Sequence, residues 1–527
     1  AAWHHRAMHR ARAQQPASWW YRYGGNHLTS IPGLFGPDIN HPLMREMLLI
    51  PTHQRAMHDI AVAIVALVES TRWDDIQAEQ SQFRFQTPLG AMVFRGRADD
   101  VEADPSEDTL LLRVDLGGND RYWGPIGVNP EGLPVGVHID LGGNDYYGYV
   151  GTMAAPSDTT LPQDRDGRTN HRLSRSAQSR QGVGRSGIGL LFDLGDGNDR
   201  YHSLVASQGY GQFGVGVLVD LGGDDEYIAE ASAQGAAQFG IGLLIDRGSG
   251  DDRYLAHTRA QGFGYVRGFG ALIDEAGNDR YACPEPSELA LYPSSQLGER
   301  GAISLCQGAG FGRRGTNLLD HLSGGYGILF DGGGDDAYVA GVFSQGTGYW
   351  QAFGLLVDAK GSDQYDSLWY GQGSAAHYAV GALLDQGPGD DRFNLRVEPV
   401  QMQLGAGHDF SVGVYVNEQG DEHYRYGKLS AGAAHCNGTG LFVEGIGQDR
   451  YESAEVSNTG YATIGEPGCV EDRAKAPSVG VLLDEGGDDR YELPPSPDVQ
   501  QTPSNRSEWQ RTSHQRRFEF GFGEDRN

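Results

Sequence analysis

Carboxylates recur along this chain at a spacing that gathers them in pairs. Twelve segments follow the pattern Gly-x-Asp-x-Tyr with small variations: GGNDRY ending at Tyr122, GGNDYY at Tyr147, DGNDRY at Tyr201, GGDDEY at Tyr227, SGDDRY at Tyr254, AGNDRY at Tyr281, GGDDAY at Tyr338, KGSDQY at Tyr365, PGDDRF at Phe393, QGDEHY at Tyr424, IGQDRY at Tyr451 and GGDDRY at Tyr491. Seven or eight residues before each aromatic a first acid closes an apolar run, as in Gly-Val-Leu-Val-Asp220 and Gly-Leu-Leu-Ile-Asp246, with Asn417 and Glu444 as substitutes. Two carboxylates per copy is the donor chemistry of a hard cation such as Ca2+, which takes six to eight oxygens with loose geometry.

Positioning such pairs is the work of the segments between them. Seven residues after the aromatic stands Gln-Gly, as in Gln208-Gly209, Gln234-Gly235, Gln261-Gly262, Gln345-Gly346 and Gln372-Gly373. The unit is therefore an apolar strand, an acidic turn, a Tyr-led strand, a Gln-Gly turn and a return to the apolar strand. From Asp193 through Asp220 and Asp246 to Asp274 it repeats every 26 to 28 residues. No such unit can bury its own apolar face, and a period near 27 matches one turn of a parallel β-solenoid, in which like positions stack about 4.8 Å apart. A propeller blade needs roughly 40 residues or more, and no leucine-rich register recurs. The expected fold is all-β, an elongated parallel β-solenoid of about twelve ~27-residue turns spanning 101–495, interrupted by insertions near 148–180, 283–304 and 312–325.

Residues 1–100 are expected to form a partly helical N-terminal cap, because Met57, Ile60, Ala61, Ile64 and Val65 follow Pro51-Thr52 at helical spacing. A cap protects the strand edges that an open solenoid end would expose. Residues 496–527 read as a linker and tail, within which Arg516–Phe522 alternates like an edge strand or a docking peptide.

Composition removes several function classes. Acidic residues outnumber basic ones by 70 to 41, a net charge of −29 that repels nucleic acid and makes cations the natural small partners. The longest apolar run, Ile60 to Val68, is too short for a transmembrane helix. Gly is 79 of 527 residues without a three-residue period, which excludes collagen. Four cysteines form no CxxC pair; chain order suggests disulfides Cys283–Cys306 and Cys436–Cys469. With the start Ala1-Ala2-Trp3, this reads as a mature exported protein, periplasmic, cell-surface or extracellular. Histidines His4, His5 and His9, and His53 and His58, match no zinc spacing, whereas His257, His377, His408 and His435 stand isolated among the repeats.

Stacked turns place first acids in one file and second acids in another. At ~5 Å and an effective dielectric of ~20, each like-charged pair costs ~3 kcal/mol. Protons, hydrogen-bond donors or cations must offset that. The donors could be the N–H groups of the acids' own turns. Arginines could form an exterior neutralising file, since Arg follows the second acid at Arg121, Arg200, Arg253, Arg280, Arg392, Arg450 and Arg490. Calcium is the third supplier, with candidate ligands Asp193, Asp199, Asp220, Asp225, Asp246, Asp252, Asp274, Asp279, Asp331 and Asp336. The Gly-Gly-Asn-Asp segments resemble the haemolysin-type calcium-binding repeat over about seven residues of each unit, and the resemblance implies calcium in the turns. The period, the terminal Tyr and the Gln-Gly element depart from that family.

Tyr and Gln files read as structural ladders, with the Tyr rings stacked and the Gln amides bonded from turn to turn. No Gly-x-Ser-x-Gly elbow, HExxH or Walker loop is present. Distinctive residues repeat instead of concentrating, which favours a non-catalytic exported scaffold or binding protein over an enzyme. Its partner would be an envelope or extracellular protein complex, or a glycan, meeting it beside the insertions where His171, Arg172, Arg313 and Arg314 are the candidates. The alternative is a polysaccharide lyase or hydrolase with acids on one solenoid face.

Overall fold

The structure is a computed structural model that describes residues 51–76, 82–102, 110–129, 133–148, 167–170, 173–175, 179–284, 293–294, 297–314, 321–454, 459–464, 476–494, 503–510, 512 and 518–526. The chain divides into two compact units. The first comprises Ala1–Gly262, Arg267–Asp274 and Arg313–Leu322; the second comprises Phe263–Val266, Glu275–Gly312 and Ser323–Asn527. Both are all-β and both are built as parallel β-solenoids, as the repeat requires.

In the first unit the apolar strands Val135–Asp140, Ile188–Asp193, Val215–Asp220 and Ile241–Asp246 pair in parallel and in register, Gly189 with Gly216 and Gly216 with Gly242. The Tyr strands Arg200–His202, Glu226–Ile228 and Arg253–Leu255 form a second sheet, and Gly184–Arg185, Gly211–Gln212 and Ala237–Gln238 form a third. The second unit repeats this plan. There Tyr326–Asp331, Phe353–Asp358, Val380–Pro388, Val412–Gln419, Thr439–Glu444, Ser478–Asp484 and Glu519–Asp525 carry the apolar face.

Period-two alternation decides which residues face inward. In Val215-Gly216-Val217-Leu218-Val219-Asp220 the even members point into the coil, so Leu218 stacks between Leu191 and Leu244 and Asp220 is fully buried. The odd members point out. Turns come so close that some positions admit no side chain: a Cβ on Gly223, at φ +136°, would lie 1.8 Å from the carbonyl oxygen of Gly197 one turn away.

Among the described residues the first unit has one α-helix, α1 (Pro51–Ser70), and an antiparallel hairpin, Gln82–Thr87 with Gly90–Arg95, meets the first described parallel strand, Leu110–Val114. In the second unit Glu508–Gln510 runs antiparallel to Glu519–Asp525, and Trp509 is buried. A disulfide joins Cys283 and Cys306 at the base of the insertion between them, with Cα atoms 6.5 Å apart. Cys436 is also disulfide-bonded; Cys469 lies outside the described residues. No described helix is long and apolar enough to cross a membrane.

Candidate functional site

Strand parity sends every named acid inside. Asp193, Asp199, Asp220, Asp225, Asp246, Asp252, Asp274, Asp279, Asp331 and Asp336 are all buried. Each first acid accepts a hydrogen bond from the tyrosine hydroxyl of the preceding turn: Tyr201 to Asp220, Tyr227 to Asp246 and Tyr254 to Asp274 in the first unit, Tyr281 to Asp331 in the second, all at 2.6 Å. The other oxygen takes an N–H of its own turn, Gly222 to Asp220 at 3.0 Å and Gly333 to Asp331 at 2.8 Å. Second acids are used between turns as well. The N–H of Asp199 donates to Asp225 Oδ1 and that of Asp225 to Asp252 Oδ1, both at 2.6 Å.

Burial sets the protonation of these files. Loss of solvent, followed by the neighbouring carboxylates, raises Asp193 to about 7, Asp225 to about 8, Asp252 to about 10 and Asp199 to about 11. Tyrosine hydroxyls and turn N–H groups act in the opposite direction at Asp193 and Asp331 without cancelling the rise, so the files retain protons. The repulsion expected of stacked carboxylates is thus removed by tyrosine hydroxyls, turn N–H groups and protons.

The expected neutralising arginines and the expected glutamine ladder take other roles. The arginines after the second acid are exposed or half-buried on the outside, and three of them pair with glutamates there, Arg253 with Glu226 at 3.1 Å, Arg450 with Glu492 at 3.2 Å and Arg490 with Glu492 at 2.6 Å. The glutamines form no amide-to-amide ladder. Gln208 Nε2 donates to the carbonyls of Tyr201 at 2.6 Å and Ile228 at 3.1 Å, and Gln234 does the same to Tyr227 and Leu255. Parity explains both corrections, because Arg alternates with the inward Tyr and the Gln amide points back at the Tyr strand.

The tyrosines stack as expected, with ring centroids 4.7 to 4.9 Å apart from Tyr147 through Tyr254. Their rings are interior, so no sugar can stack on them. One turn of the second unit exposes the logic of the pairing. Phe393 replaces Tyr and has no hydroxyl to donate, and the next first acid, which such a hydroxyl would serve, is the neutral Asn417. Asn417 Nδ2 instead donates to Asp391 Oδ2 at 2.9 Å. Donor and acceptor have disappeared together.

For calcium, the donor type fits and the donor number is small. Asp193, Asp199 and Asp220 can bring one carboxylate oxygen each within 4.8 Å of one another, and Asp140, Asp145 and Asp193 can do likewise. Three such oxygens fall short of the usual six to eight.

Of the expected partner residues only Arg313 and Arg314 fall among the described residues. His171 and Arg172 lie outside the described residues. Arg313 is partly buried, its backbone paired with Leu322, and Arg314 is exposed. Among the histidines, however, the second unit brings His377, His408 and His435 together, with Asp409 beside them.

The two units differ at another surface, which sequence reasoning missed: the outward side of the apolar strands. In the first unit Ile188, Leu190, Phe192, Val215, Val217 and Val219 form one core with Ala61 and Val68 of α1, and Met57, Ile64 and Val65 pack against it. Gln54 Nε2 anchors the helix to the carbonyl of Phe239 at 3.0 Å. In the second unit the equivalent positions carry Tyr326, Ile328 and Phe330, then Phe353, Leu355 and Val357, then Val380, Ala382 and Leu384, of which Tyr326, Phe330 and Val380 are exposed and the rest half-buried. Ile188 is 1% exposed where Tyr326 is 58%, and Phe192 is 2% exposed where Phe330 is 36%. The signal was present in the runs Tyr326-Gly-Ile-Leu-Phe-Asp331 and Phe353-Gly-Leu-Leu-Val-Asp358, which are apolar at both parities. A half-solvated strand would alternate apolar with polar. No family model matches the chain, and no curated protein or solved structure matches it either.

Proposed function

We propose that this chain is a non-catalytic binding scaffold whose second unit receives an amphipathic helix of a partner protein on its outward apolar face. One observation carries the reading: the same sheet face that α1 covers in the first unit is uncovered in the second, over several consecutive turns. A contiguous apolar patch of this kind on a folded protein marks an interaction surface. The first unit also supplies the chemistry of the occupant. Its cover is a 20-residue helix presenting Ala61, Ile64, Val65 and Val68 at helical spacing, and the partner is inferred to present a similar stripe of small and branched apolar side chains. The repeated acids, tyrosines and glutamines are assigned to the coil's interior, where they hold turns together.

Export to an oxidising compartment belongs to the same proposal and draws support from the Cys283–Cys306 disulfide. The test uses the full chain and a fluorescent peptide of residues 51–70 as the helix probe. Saturable binding in fluorescence anisotropy, lost in the double variant Leu355→Glu/Val414→Glu while the melting temperature holds, is the expected result. Binding that survives those substitutions, or no binding, overturns helix docking. Retention of a polysaccharide would instead favour a glycan partner, and its depolymerisation a carbohydrate-active enzyme.

Calcium in the turns is a second reading, favoured by the carboxylate triads such as Asp193, Asp199 and Asp220. Metal held there would add to folding stability. Chelator would then lower the melting temperature and added calcium restore it; an unchanged midpoint removes the reading.

A further inference from the structure

The histidines gathered in the second unit lie where the repeat breaks its own chemistry. In the third sheet Tyr349, Ala376, His408, His435 and Thr463 succeed one another in register, and the residues after them are Trp350, His377, Asp409, Cys436 and Ile464. In the first unit the corresponding dipeptides are Gln212-Phe213 and Gln238-Phe239. Three successive turns therefore exchange apolar and amide side chains for imidazoles and a carboxylate. The corner backbone fixes their directions: His377, Asp409 and Cys436 sit at φ +62°, +57° and +49°, a left-handed conformation repeated from turn to turn.

The resulting geometry is compact. His435 Nδ1 lies 2.9 Å from His408 Nδ1, and His377 Nδ1 lies 2.5 Å from Asp409 Oδ2. His377, His408 and Asp409 each place one ligand atom within 4.8 Å of the other two. Asp409 is 1% exposed and His377 is buried, whereas His408 and His435 are half-buried, so the group is anchored below and reachable from above. Tyr378 and Phe410, stacked at 5.3 Å and exposed, stand beside it. Cys436 is excluded as a thiolate by its disulfide.

We propose that His377, His408, His435 and Asp409 bind a divalent transition-metal ion. Three imidazoles and one carboxylate form a ligand set of borderline softness, suited to Zn2+ or Cu2+ and unlike the all-oxygen set of the acid files. The facing nitrogens fit this class: two ligands with metal–nitrogen bonds of about 2.0–2.1 Å are separated by about 2.9 Å at a right angle and about 3.3 Å at the tetrahedral angle. A metal would replace the single proton that two facing Nδ1 atoms share. The inference is independent of helix docking, which uses another face of the coil.

The experiment titrates the full chain with ZnCl2 and, separately, CuCl2, by calorimetry and by tryptophan fluorescence, because the Trp350 ring is centred 6.0 Å from His377. We expect a tight phase of one equivalent. In His408→Asn/His435→Asn that equivalent should vanish or weaken by at least about a hundredfold, beyond the tenfold to hundredfold typical of outer-shell changes. His257→Asn, a substitution in the first unit, should leave it intact. Copper should quench fluorescence in the parent chain more than in Trp350→Phe, and its electron paramagnetic resonance spectrum should show nitrogen ligation that the double variant loses. Unchanged circular dichroism and melting temperature in the metal-free double variant establish that the loss is local; should it misfold, the single variant His435→Gln is read in the same way. Retention of the full metal stoichiometry by a folded variant, or absence of a one-equivalent phase in the parent, overturns the proposal.

Discussion

The two units share an interior and differ on one outside face. Inside each, inward leucines and tyrosine-to-acid bonds repeat with little change: Leu218 and Leu356 are both fully buried, and Tyr201 and Tyr338 reach the next acid at 2.6 and 2.7 Å. Outside, the apolar strands of the first unit from Leu110–Val114 to Ile241–Asp246 pack with α1, and among the described residues those of the second carry no such cover. A common interior builds a common coil. What distinguishes the units, and hence what this molecule can do besides fold, lies in the outward face and in the histidine corner.

The sharpest way to break this comparison is to place the same charge at matching outward positions. Val217→Asp, beneath α1, should cost about 3–4 kcal/mol because a carboxylate is buried without a partner, whereas Val414→Asp, at the same register in the second unit, should cost under about 1 kcal/mol. Equal losses in denaturant unfolding would show that the second face is covered after all.

Acidity tests what the units share. The acids' pKa values in the folded state lie above their unfolded value near 3.8, at about 7 to 11 in the first unit and up to about 12 for Asp363 in the second. Between those limits the folded state binds more protons, so this stabilisation is complete below about pH 4 and is lost as pH rises through about 7 to 12. The melting temperature should fall by several degrees from pH 5 to pH 9. A rise over that interval would show that the files are ionised when folded.

Smaller still is the loss of one hydroxyl. Tyr201→Phe removes the 2.6 Å bond to Asp220 and should cost about 1–3 kcal/mol, measured by chemical unfolding. The same exchange is already present at Phe393, so the least effect is expected there. Phe393→Tyr with Asn417→Asp should restore the pair at little net change, while Asn417→Asp alone should be worse than the double substitution. Additive single effects would show that the two positions do not form a donor–acceptor pair.

Much of the architecture could be read directly. The spacing of Asp193, Asp220, Asp246 and Asp274 fixes the turn length, and Gly-x-Leu-x-Asp fixes the strand. The same alternation also puts Asp220 on the side of Leu218, inside, yet charge suggested turn N–H groups, arginine or calcium. Burial overrode the ordinary behaviour of a carboxylate because desolvation makes the acid keep its proton and a tyrosine hydroxyl is available from the neighbouring turn, an arrangement invisible within any one copy. The histidine corner was hidden differently. His408 follows Gln403-Leu404-Gly405 in place of Gln-Gly, and the turn from Asp385 to Asn417 is 32 residues long, so counting from the repeat did not align it with His377 and His435.

Because each tyrosine serves the acid of the following turn, the chemical repeat is out of phase with the structural one by a single step. Copying any in-phase segment of about 27 residues adds one donor and one acceptor at once, wherever the copy begins. The coil can therefore gain or lose whole turns in the course of descent without stranding a buried hydroxyl or carboxyl in its middle. The obligation is passed to the last step, where Tyr491 finds Asp525, at 3.1 Å, on the strand that closes the series.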